Sequence, residues 1–273
     1  MTVTEIEATA ARVATRRRKR LAGVGTRVRV VVLPILTALA VFAAWELIVD
    51  AYDISNALLP APSEIATRLS VVLPFLLKQA VPTTLETIAG FAIATVLGIA
   101  LAVLISASRF VREAIYPNIV FFQLIPKIAL APLFIVWLGI DSPSRVTFAV
   151  FICFFPVVVA TLTGLGSVDR DLLRLCRAVG ASRWKVYTQV RFPVAIPHIF
   201  AGLKIAITFA MIGVIVGEFI TAQAGLGYMI LFGASQADMT LIFASITLLC
   251  VIGLLLYAII VAAEALVLRR YGE

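Results

Sequence analysis

Long apolar stretches alternate with short polar ones along most of the chain. Several of them approach or exceed the roughly 20 residues with which an α-helix crosses a bilayer. They are much longer than the strands of a membrane β-barrel, so helices are the spanning elements. The pattern predicts an all-α integral membrane protein with about six transmembrane helices, at residues 28–49, 84–107, a third span ending near 140, 146–166, 205–217 and 241–263.

Two interruptions modify this pattern. Upstream of the second span, apolar residues recur at helical spacing and predict a separate helix lying along the membrane surface, built on Ile65, Leu69, Val72 and Leu76. Within the third span, Pro117, Pro126 and Pro132 each break helical hydrogen bonding, so the sequence leaves the first residue of that span open.

Gln123 and Lys127 lie four positions apart around the third span and are predicted to share one helical face. An unpaired lysine in lipid is costly, so Lys127 must pair, face water or reach the membrane surface. Two interpretations stay open. Either the span begins at Pro126 and Lys127 extends to the cytoplasmic surface, or the two side chains line part of a transport path.

Glu218 closes the fifth span and is followed by the glycine-rich stretch AGLGYMI. Irregular backbone at membrane depth is tolerated only inside protein or beside water, and the glycines predict a flexible re-entry. Glu218 either caps or pairs structurally, or it helps to gate the outer mouth of a path. Gln223 supplies a further polar side chain and is a candidate for the same path.

Charge is distributed unevenly over the predicted bundle. The chain is 62% hydrophobic and has a net charge of +8. Its lysines and arginines concentrate at both ends of the chain, in the loop after the second span and in residues 169–191. Cytoplasmic loops carry such an excess, so both termini are predicted to be cytoplasmic. Residues 1–27 form a basic N-terminal arm, either solvated or bound to anionic lipid, ahead of a transmembrane domain at 28–273.

Residues 169–192 form the most polar segment between two spans. Leu172, Leu175, Cys176 and Val179 fall on one helical face, with arginines on another. Gly180 suits a helix C-cap and Ser182 an N-cap, so two short helices are predicted. Pro193 and Pro197 are expected to end the second helix and redirect the chain into the fifth span.

This segment combines apolar, aromatic and basic side chains. Such a surface either rests on anionic lipid or forms a socket for a soluble partner, with the aromatic residues and arginines as anchors. Its charge and aromatic content do not decide between the two interpretations. Nucleic-acid binding is the weaker explanation of the net positive charge, because no nucleic-acid-reading motif accompanies it.

Several kinds of chemistry have no motif in the sequence. No glycine-rich loop of the Gly-x-x-x-x-Gly-Lys-Ser/Thr type is present to hold ATP phosphates. The three cysteines have no metal-binding spacing, and His198 is the only histidine. We therefore expect no cofactor, no metal and no catalytic residues in this chain. A transporter that lacks its own ATP-binding loop needs a partner that supplies energy.

The stretch RAVGASRWKVYTQVRFPVAIPHIFAGLKIAI resembles the EAA loop of ABC-importer permeases. In that family a Glu-Ala-Ala triplet leads by fixed spacing to a glycine, and Ile-x-Leu-Pro closes the motif. Gly180 and Pro193 match, with Val190 in place of the isoleucine and Phe192 in place of the leucine. The triplet positions hold Arg174, Leu175 and Cys176 and depart from the pattern.

Further stretches at residues 59–64, 125–140 and 217–230 resemble the nitrate/sulfonate/taurine branch of these permeases. The resemblance implies a type I importer permease fold in a bacterial inner membrane. It also implies a second copy of the permease, a cytoplasmic ATPase pair and an extracytoplasmic substrate-binding protein. The EAA loop would be the coupling helix that seats in the ATPase, with the residues Arg174, Leu175, Cys176, Val179, Gly180, Ser182, Trp184, Val190 and Pro193.

The sequence as a whole predicts the transmembrane subunit of an ATP-driven importer for a small polar solute. Sulfonates, nitrate, small carboxylates and pyrimidine-like compounds all remain open, because a separate binding protein does most of the selecting. An ATP-independent secondary carrier or channel is the alternative. A membrane scaffold whose basic loop binds a cytosolic partner is a third class.

Overall fold

The computed structural model describes residues 32–221 and 223–271, so the predicted basic arm at 1–27 lies outside the described residues. The chain divides into two compact units, Met1–Ala66 and Thr67–Glu273. All regular elements in the described part are helical. They are α1 Val32–Ala51, α2 Pro62–Ala107, α3 Arg109–Gln123, a 3-10 turn Lys127–Leu130, α4 Ala131–Leu138, α5 Ser142–Gly166, α6 Arg170–Ala178, α7 Arg183–Val186, a π-helical turn Tyr187–Arg191, α8 Phe192–Thr221, α9 Leu226–Ser235 and α10 Met239–Tyr271.

Five of the helical segments in the described part are long and apolar enough to cross a membrane: α1, α2, α5, α10 and the stretch Arg183–Thr221 that contains α8. The bent pair formed by α3 and α4 is a broken span or a re-entrant loop, and it brings the number of spans to six when it is counted as one. These helices confirm the prediction of an all-α membrane protein with about six spans.

The first unit contains α1 and the first residues of α2. The carboxylate of Glu46 accepts hydrogen bonds from the Ser63 hydroxyl at 2.5 Å and from the Ser63 backbone N–H at 3.1 Å. These bonds fasten the start of α2 to α1. The Ser63 hydroxyl is therefore a hydrogen-bond donor to a carboxylate on α1.

The helix α2 is continuous over 46 residues, more than twice the roughly 20 that cross a bilayer. The prediction of a separate surface helix around Ile65–Leu76 is therefore wrong, because that stretch belongs to the same helix as the second span. Pro74 and Pro82 lie inside α2 without ending it. Leu76 is fully buried in a core cluster with α9 and α10, and packing of this kind outweighs the loss of single hydrogen bonds at prolines.

Helices α5 and α8 form the central packed pair. Small residues let their backbones approach closely, as is typical between membrane helices. A Cβ atom at Gly213 would lie 2.8 Å from Cα of Ala149, and one at Gly164 would lie 2.8 Å from Cβ of His198. The pair positions the segments at both of its ends, where the candidate sites lie.

The third span is broken. Helix α3 ends at Gln123, Pro126 precedes the 3-10 turn, and the two halves of the span are bent by 85°. The prediction that Gln123 and Lys127 share one helical face is wrong, because the helix that would have carried both stops between them. Proline at the break accounts for this, since it cannot donate to the helical ladder.

The fifth span is longer than predicted. Helix α8 runs from Phe192 to Thr221, and Pro193 and Pro197 lie within it, so these prolines do not end a helix as expected. The preceding π-helical turn closes with a bond from the Phe192 N–H to the Tyr187 carbonyl. A wider turn of this kind accommodates Pro193, whose ring would clash with the carbonyl four residues earlier in a regular helix.

Candidate functional site

Residues 170–191 expose apolar side chains, and we call them the coupling segment after the role that the resemblance to the EAA loop implies. Helix α6 is amphipathic, and on one of its faces Leu175 and Val179 are 60% and 72% exposed. Trp184 in α7 is 75% exposed, and Leu172 is also exposed. Cys176, on the same face, is half-buried. Clusters of exposed apolar side chains are typical of surfaces that contact another protein or the membrane.

The turn inside the coupling segment has defined geometry. Gly180 has φ +70° and follows the last helical residues of α6. Its N–H donates to the Arg177 carbonyl at 3.1 Å, and the Ala181 N–H donates to the Cys176 carbonyl at 3.0 Å. This pair of bonds is a Schellman motif. The hydroxyl of Ser182 accepts from the Lys185 N–H at 3.3 Å, so the predicted helix–turn–helix with Ser182 as N-cap is present.

Arg174 lies on the exposed side of α6. Its guanidinium is 2.9 Å from the carboxylate of Asp171, one helical turn earlier, and the two side chains are 73% and 80% exposed. An ion pair in this setting contributes little stability. Arg174 therefore has an intrahelical charge partner and remains accessible to solvent.

Val190 and Pro193 lie where the coupling segment joins α8, and both are partly buried. The hydroxyl of Tyr187 lies 3.0 Å from that of Ser106 near the end of α2. This bond and the packing of Tyr187 and Phe192 on the core of α5 and α8 fix the segment to the spans. These contacts attach the coupling segment to α2 and α8.

The break between α3 and α4 lies beside a row of aromatic rings on α5. The ammonium group of Lys127 is 4.9 Å from the centroid of the Phe155 ring, a distance typical of a cation–π contact. The ring of Phe122 stacks on that of Phe155, and the two ring centroids are 6.4 Å apart. Gln123 is partly buried at the end of α3. The break therefore combines one cation with several aromatic faces.

At the opposite end of α8, Glu218 is 1% exposed and caps α9. Its carboxylate accepts from the Thr83 hydroxyl at 2.6 Å and from the Gly227 N–H at 2.7 Å. The Thr83 hydroxyl accepts from the Leu226 N–H at 2.9 Å, and the Gln79 side chain accepts from the Gly225 N–H at 2.9 Å. Side chains from α2 and α8 thus satisfy the first N–H groups of α9, which would otherwise lack acceptors.

Residues Leu226–Ser235 of the stretch after Glu218 form the capped helix α9. Gly225 has φ +114°, and a Cβ there would overlap the Glu218 carboxylate. The glycines are therefore required for close approach. Of the two roles open for Glu218, the hydrogen bonds provide the structural one. Gln223 is exposed in the connection between α8 and α9.

A buried ion pair that the sequence analysis missed lies beside Glu218. Two nitrogens of Arg145 donate to the two carboxylate oxygens of Glu86, at 2.6 and 2.8 Å, and their side chains are 13% and 7% exposed. A Cβ at Gly217 would lie 2.8 Å from Cγ of Arg145, so α8 passes directly over the arginine. We call Gln79, Thr83, Glu86, Arg145 and Glu218 the buried polar cluster.

A second ion pair was also missed. Lys204 of α8 contacts Glu264 of α10 at 2.5 Å, and both side chains are largely buried. The signal for both pairs was available, because charged residues inside apolar spans must find partners. No group of three or more His, Cys, Asp or Glu side chains that could hold a metal ion occurs in the described part of the chain.

Comparison with known proteins assigns the family. The model of the binding-protein-dependent transport system inner membrane component matches residues 94–272, which include the coupling segment and Glu218. This chain belongs to that family of ABC-importer permeases. The resemblance seen in the EAA loop is thereby confirmed, and permeases named for aliphatic sulfonates and for nitrate also match.

Two relatives cover most of the permease. It is 36% identical over 237 residues to the formylaminopyrimidine transport permease protein ThiX of Halalkalibacterium halodurans, covering 86% of this chain and 94% of the relative. It is 30% identical over 239 residues to the riboflavin transport system permease protein RibX of Chloroflexus aurantiacus, covering 87% and 89%. The solutes named for the relatives differ.

A solved structure establishes the fold. An inward-facing structure of the MetNI methionine ABC transporter superposes with a TM-score of 0.60 at 21% identity, covering 72% of this chain and 96% of that one. The permease therefore has the type I importer fold. Likeness at this level of identity concerns architecture alone.

Proposed function

We propose that this chain is the membrane subunit of an ATP-driven importer and that its coupling segment docks on a cytoplasmic ABC ATPase. The observation that carries the proposal is the exposed apolar face of Leu175, Val179 and Trp184 on a segment otherwise rich in arginine. A face that served only as a solvated loop would not expose three large apolar side chains together. The rigid turn at Gly180 and the bond of Tyr187 to Ser106 provide a means of transmitting movement to the spans.

The proposed assembly has three kinds of component. Two copies of the permease form the path, an ATPase pair sits under the coupling segments, and a substrate-binding protein delivers the solute from outside. Both termini and the coupling segment face the cytoplasm of a bacterial inner membrane. The support for this orientation is the concentration of arginine and lysine at those places.

We propose further that the break between α3 and α4 lines the path. Broken helices mark solute sites in transporters because only protein-lined or wet surfaces tolerate them. Lys127 and the rings around Phe155 suit a planar or anionic solute. A pyrimidine-like compound, as named for the relative ThiX, combines flat rings with polar edges and fits this description better than an aliphatic solute. Gln123 and Gln223 are secondary candidates, and we assign Glu218 to holding α9.

The docking proposal is tested by replacing Leu175 with aspartate. A charge at the centre of the apolar face should reduce association with the cognate ATPase by at least about tenfold, because a central apolar anchor contributes on the order of 2 kcal/mol. The measurement is co-purification of the ATPase with the tagged permease, together with ATP hydrolysis in proteoliposomes. Leu175→Met, which keeps size and polarity, should retain both.

Two results would contradict the docking proposal. Equal ATPase recovery with Leu175→Asp and wild type would show that the face is not the contact. Solute uptake by the lone permease in proteoliposomes without ATPase would favour the secondary carrier or channel. For the path, Lys127→Met should lower uptake while ATPase recovery stays normal, and unchanged uptake would remove Lys127 from the path.

A further inference from the structure

A basic cavity lies between the coupling segment and the ends of the spans. Its volume is about 980 Å³. It is bounded by the last turns of α2, the first turn of α3, helices α6 and α7, and the π-helical turn. Its described lining includes Arg112, Arg177, Arg183 and Arg191, together with Trp184 and Tyr187.

Four of these lining residues are arginines, and none of the described lining residues is acidic. Among the ion pairs of the described residues, none includes Arg112, Arg183 or Arg191. Arg177 donates only to the Leu173 carbonyl of its own helix, at 3.2 Å. Four like charges around one cavity repel one another, so an anion that enters it is strongly favoured.

The guanidinium groups define the class of anion. Arginine presents a planar fork of donors that matches the oxygens of a phosphate group. The guanidinium of Arg112 packs directly against Gly166, where a Cβ atom would lie only 2.8 Å from it. A phosphate group between several guanidinium groups receives charge-assisted hydrogen bonds, which are stronger than hydrogen bonds from water.

The position of the cavity selects the source of the phosphate. Val103, Ser106 and Ala107 belong to the end of an apolar spanning helix, and Arg191 directly precedes another. The wall also contains Trp184 and Tyr187, residues that concentrate at the level of lipid headgroups. The cavity therefore offers apolar walls beside the spans and cations at the ends of the spans. A phospholipid would place its acyl chains against the first and its phosphate against the second.

We propose that this cavity binds the phosphate headgroup of an anionic phospholipid, which holds the coupling segment against the ends of α2 and α3. This site goes beyond solute transport and ATPase docking. It is built on Arg112, Arg177, Arg183 and Arg191 and leaves Leu175 and Val179 of the docking face free, while Trp184 borders both surfaces. The lipid acts as a counter-ion between two elements that would otherwise repel each other.

The test is native mass spectrometry of the full-length permease in detergent, titrated with phosphatidylglycerol or with phosphatidylcholine. Wild type should bind one phosphatidylglycerol per chain in preference to phosphatidylcholine. The double variant Arg112→Gln/Arg191→Gln should bind it about 25-fold more weakly, because each cation near a headgroup contributes roughly fivefold. The matched control Lys185→Gln removes a nearby exposed cation outside the cavity and should bind as wild type.

A charge-conserving pair separates loss of the site from loss of the fold. Arg112→Lys/Arg191→Lys should bind phosphatidylglycerol with an affinity between those of wild type and the glutamine pair. Equal binding by wild type and the glutamine pair would overturn the proposal, as would equal binding of the two lipids. Displacement of the lipid by millimolar inorganic phosphate would make this a site for free phosphate instead.

The competing occupant is an acidic surface of the ATPase. Normal lipid binding by the glutamine pair, combined with lost ATPase recovery, would assign the cavity to that partner and overturn the lipid site. Because lipid binding is measured on the permease alone, failure of this proposal is distinguishable from failure of the transport function.

Discussion

The buried polar cluster and the coupling segment are both built from charged residues next to short helices, but they satisfy those charges differently. In the cluster, Arg145 and Glu86 form two bonds to each other, and Glu218 accepts from a hydroxyl and a backbone N–H. In the coupling segment, the one ion pair among described residues joins neighbours on the same helix, while apolar side chains point outwards.

This difference distinguishes residues that stabilise the fold from residues that can contact another molecule. Groups whose hydrogen bonds are completed inside the chain have little left to offer a ligand, and removing one leaves its partner buried and unpaired. Exposed apolar side chains and unpaired arginines are completed only by another molecule. We therefore expect substitutions in the cluster to change stability, and substitutions in the coupling segment to change partner binding and transport.

The largest effect is expected for Arg145→Leu. It leaves the Glu86 carboxylate buried without its partner, which costs about 3–5 kcal/mol. The apparent melting temperature of the purified permease should fall by about 10 °C, since 1 kcal/mol corresponds to roughly 2–4 °C for a chain of this size. The measurement is thermal unfolding in detergent.

The control for Arg145 is the double variant Glu86→Leu/Arg145→Leu. Removing both charges leaves no unpaired ion, so this protein should be more stable than the single variant. A double variant that melts below Arg145→Leu would show that the two residues stabilise the fold through contacts other than their ion pair.

A smaller loss of about 3 kcal/mol is expected for Glu218→Ala. The Gly227 N–H and the Thr83 hydroxyl would lose a buried acceptor, at about 1–3 kcal/mol for each group. Thermal unfolding and limited proteolysis around α9 measure the effect. Gln223→Ala, an exposed change five residues later, serves as the control and should be neutral. Equal stability of the two variants would refute the capping role of Glu218.

The sequence predicted the elements whose signal is local. Apolar length located the spans, and Gly180 and Ser182 gave the turn of the coupling segment, because caps and φ > 0 positions depend on the nearest residues. The family motif also came from contiguous residues. The class of fold and the position of the helix–turn–helix at Gly180 and Ser182 were therefore predictable.

The sequence could not predict features that depend on distant partners. The fifth span is predicted at 205–217, so Lys204 lies just outside it, but Glu264, 60 positions away, pairs with Lys204 inside the bundle. Pro193 and Pro197 were expected to end a helix, but both lie within the continuous helix α8, and Pro74 and Pro82 likewise lie inside α2. The capping of α9 by Gln79 and Thr83 likewise joins residues more than 140 positions apart.

An intermediate effect is expected for Gly180→Ala in the coupling segment. No atom lies within 4 Å of a Cβ at this position, so the cost of about 1–2 kcal/mol comes from the backbone at φ +70° alone. ATP hydrolysis of the assembled transporter should fall about fivefold or more, and the melting temperature should fall by about 2–8 °C, less than for Arg145→Leu. Gly180→Asn, which tolerates this conformation better, should keep more activity. Equal activity of both variants with wild type would mean that the turn geometry is not transmitted.

The smallest effect is expected for Arg174→Glu, at the position where the family motif usually has glutamate. Arg174 is 73% exposed and paired with Asp171, so the change exchanges a weak attraction for a weak repulsion one helical turn apart. Pairs of this kind contribute roughly 0.2–0.5 kcal/mol. Solute-stimulated ATP hydrolysis should therefore stay within about threefold of wild type.

Arg174→Gln separates charge inversion from the loss of the Asp171 pair. If Arg174 only borders the contact, the glutamine and glutamate variants should both remain close to wild type, because docking then depends on the apolar face of Leu175 and Val179. A collapse to the basal rate in Arg174→Glu alone, restored by a reversed charge on the ATPase, would instead reveal a buried ion pair across the interface. The coupling segment would then resemble the buried polar cluster once the partner is bound, and breaking such a pair would cost about 3–5 kcal/mol.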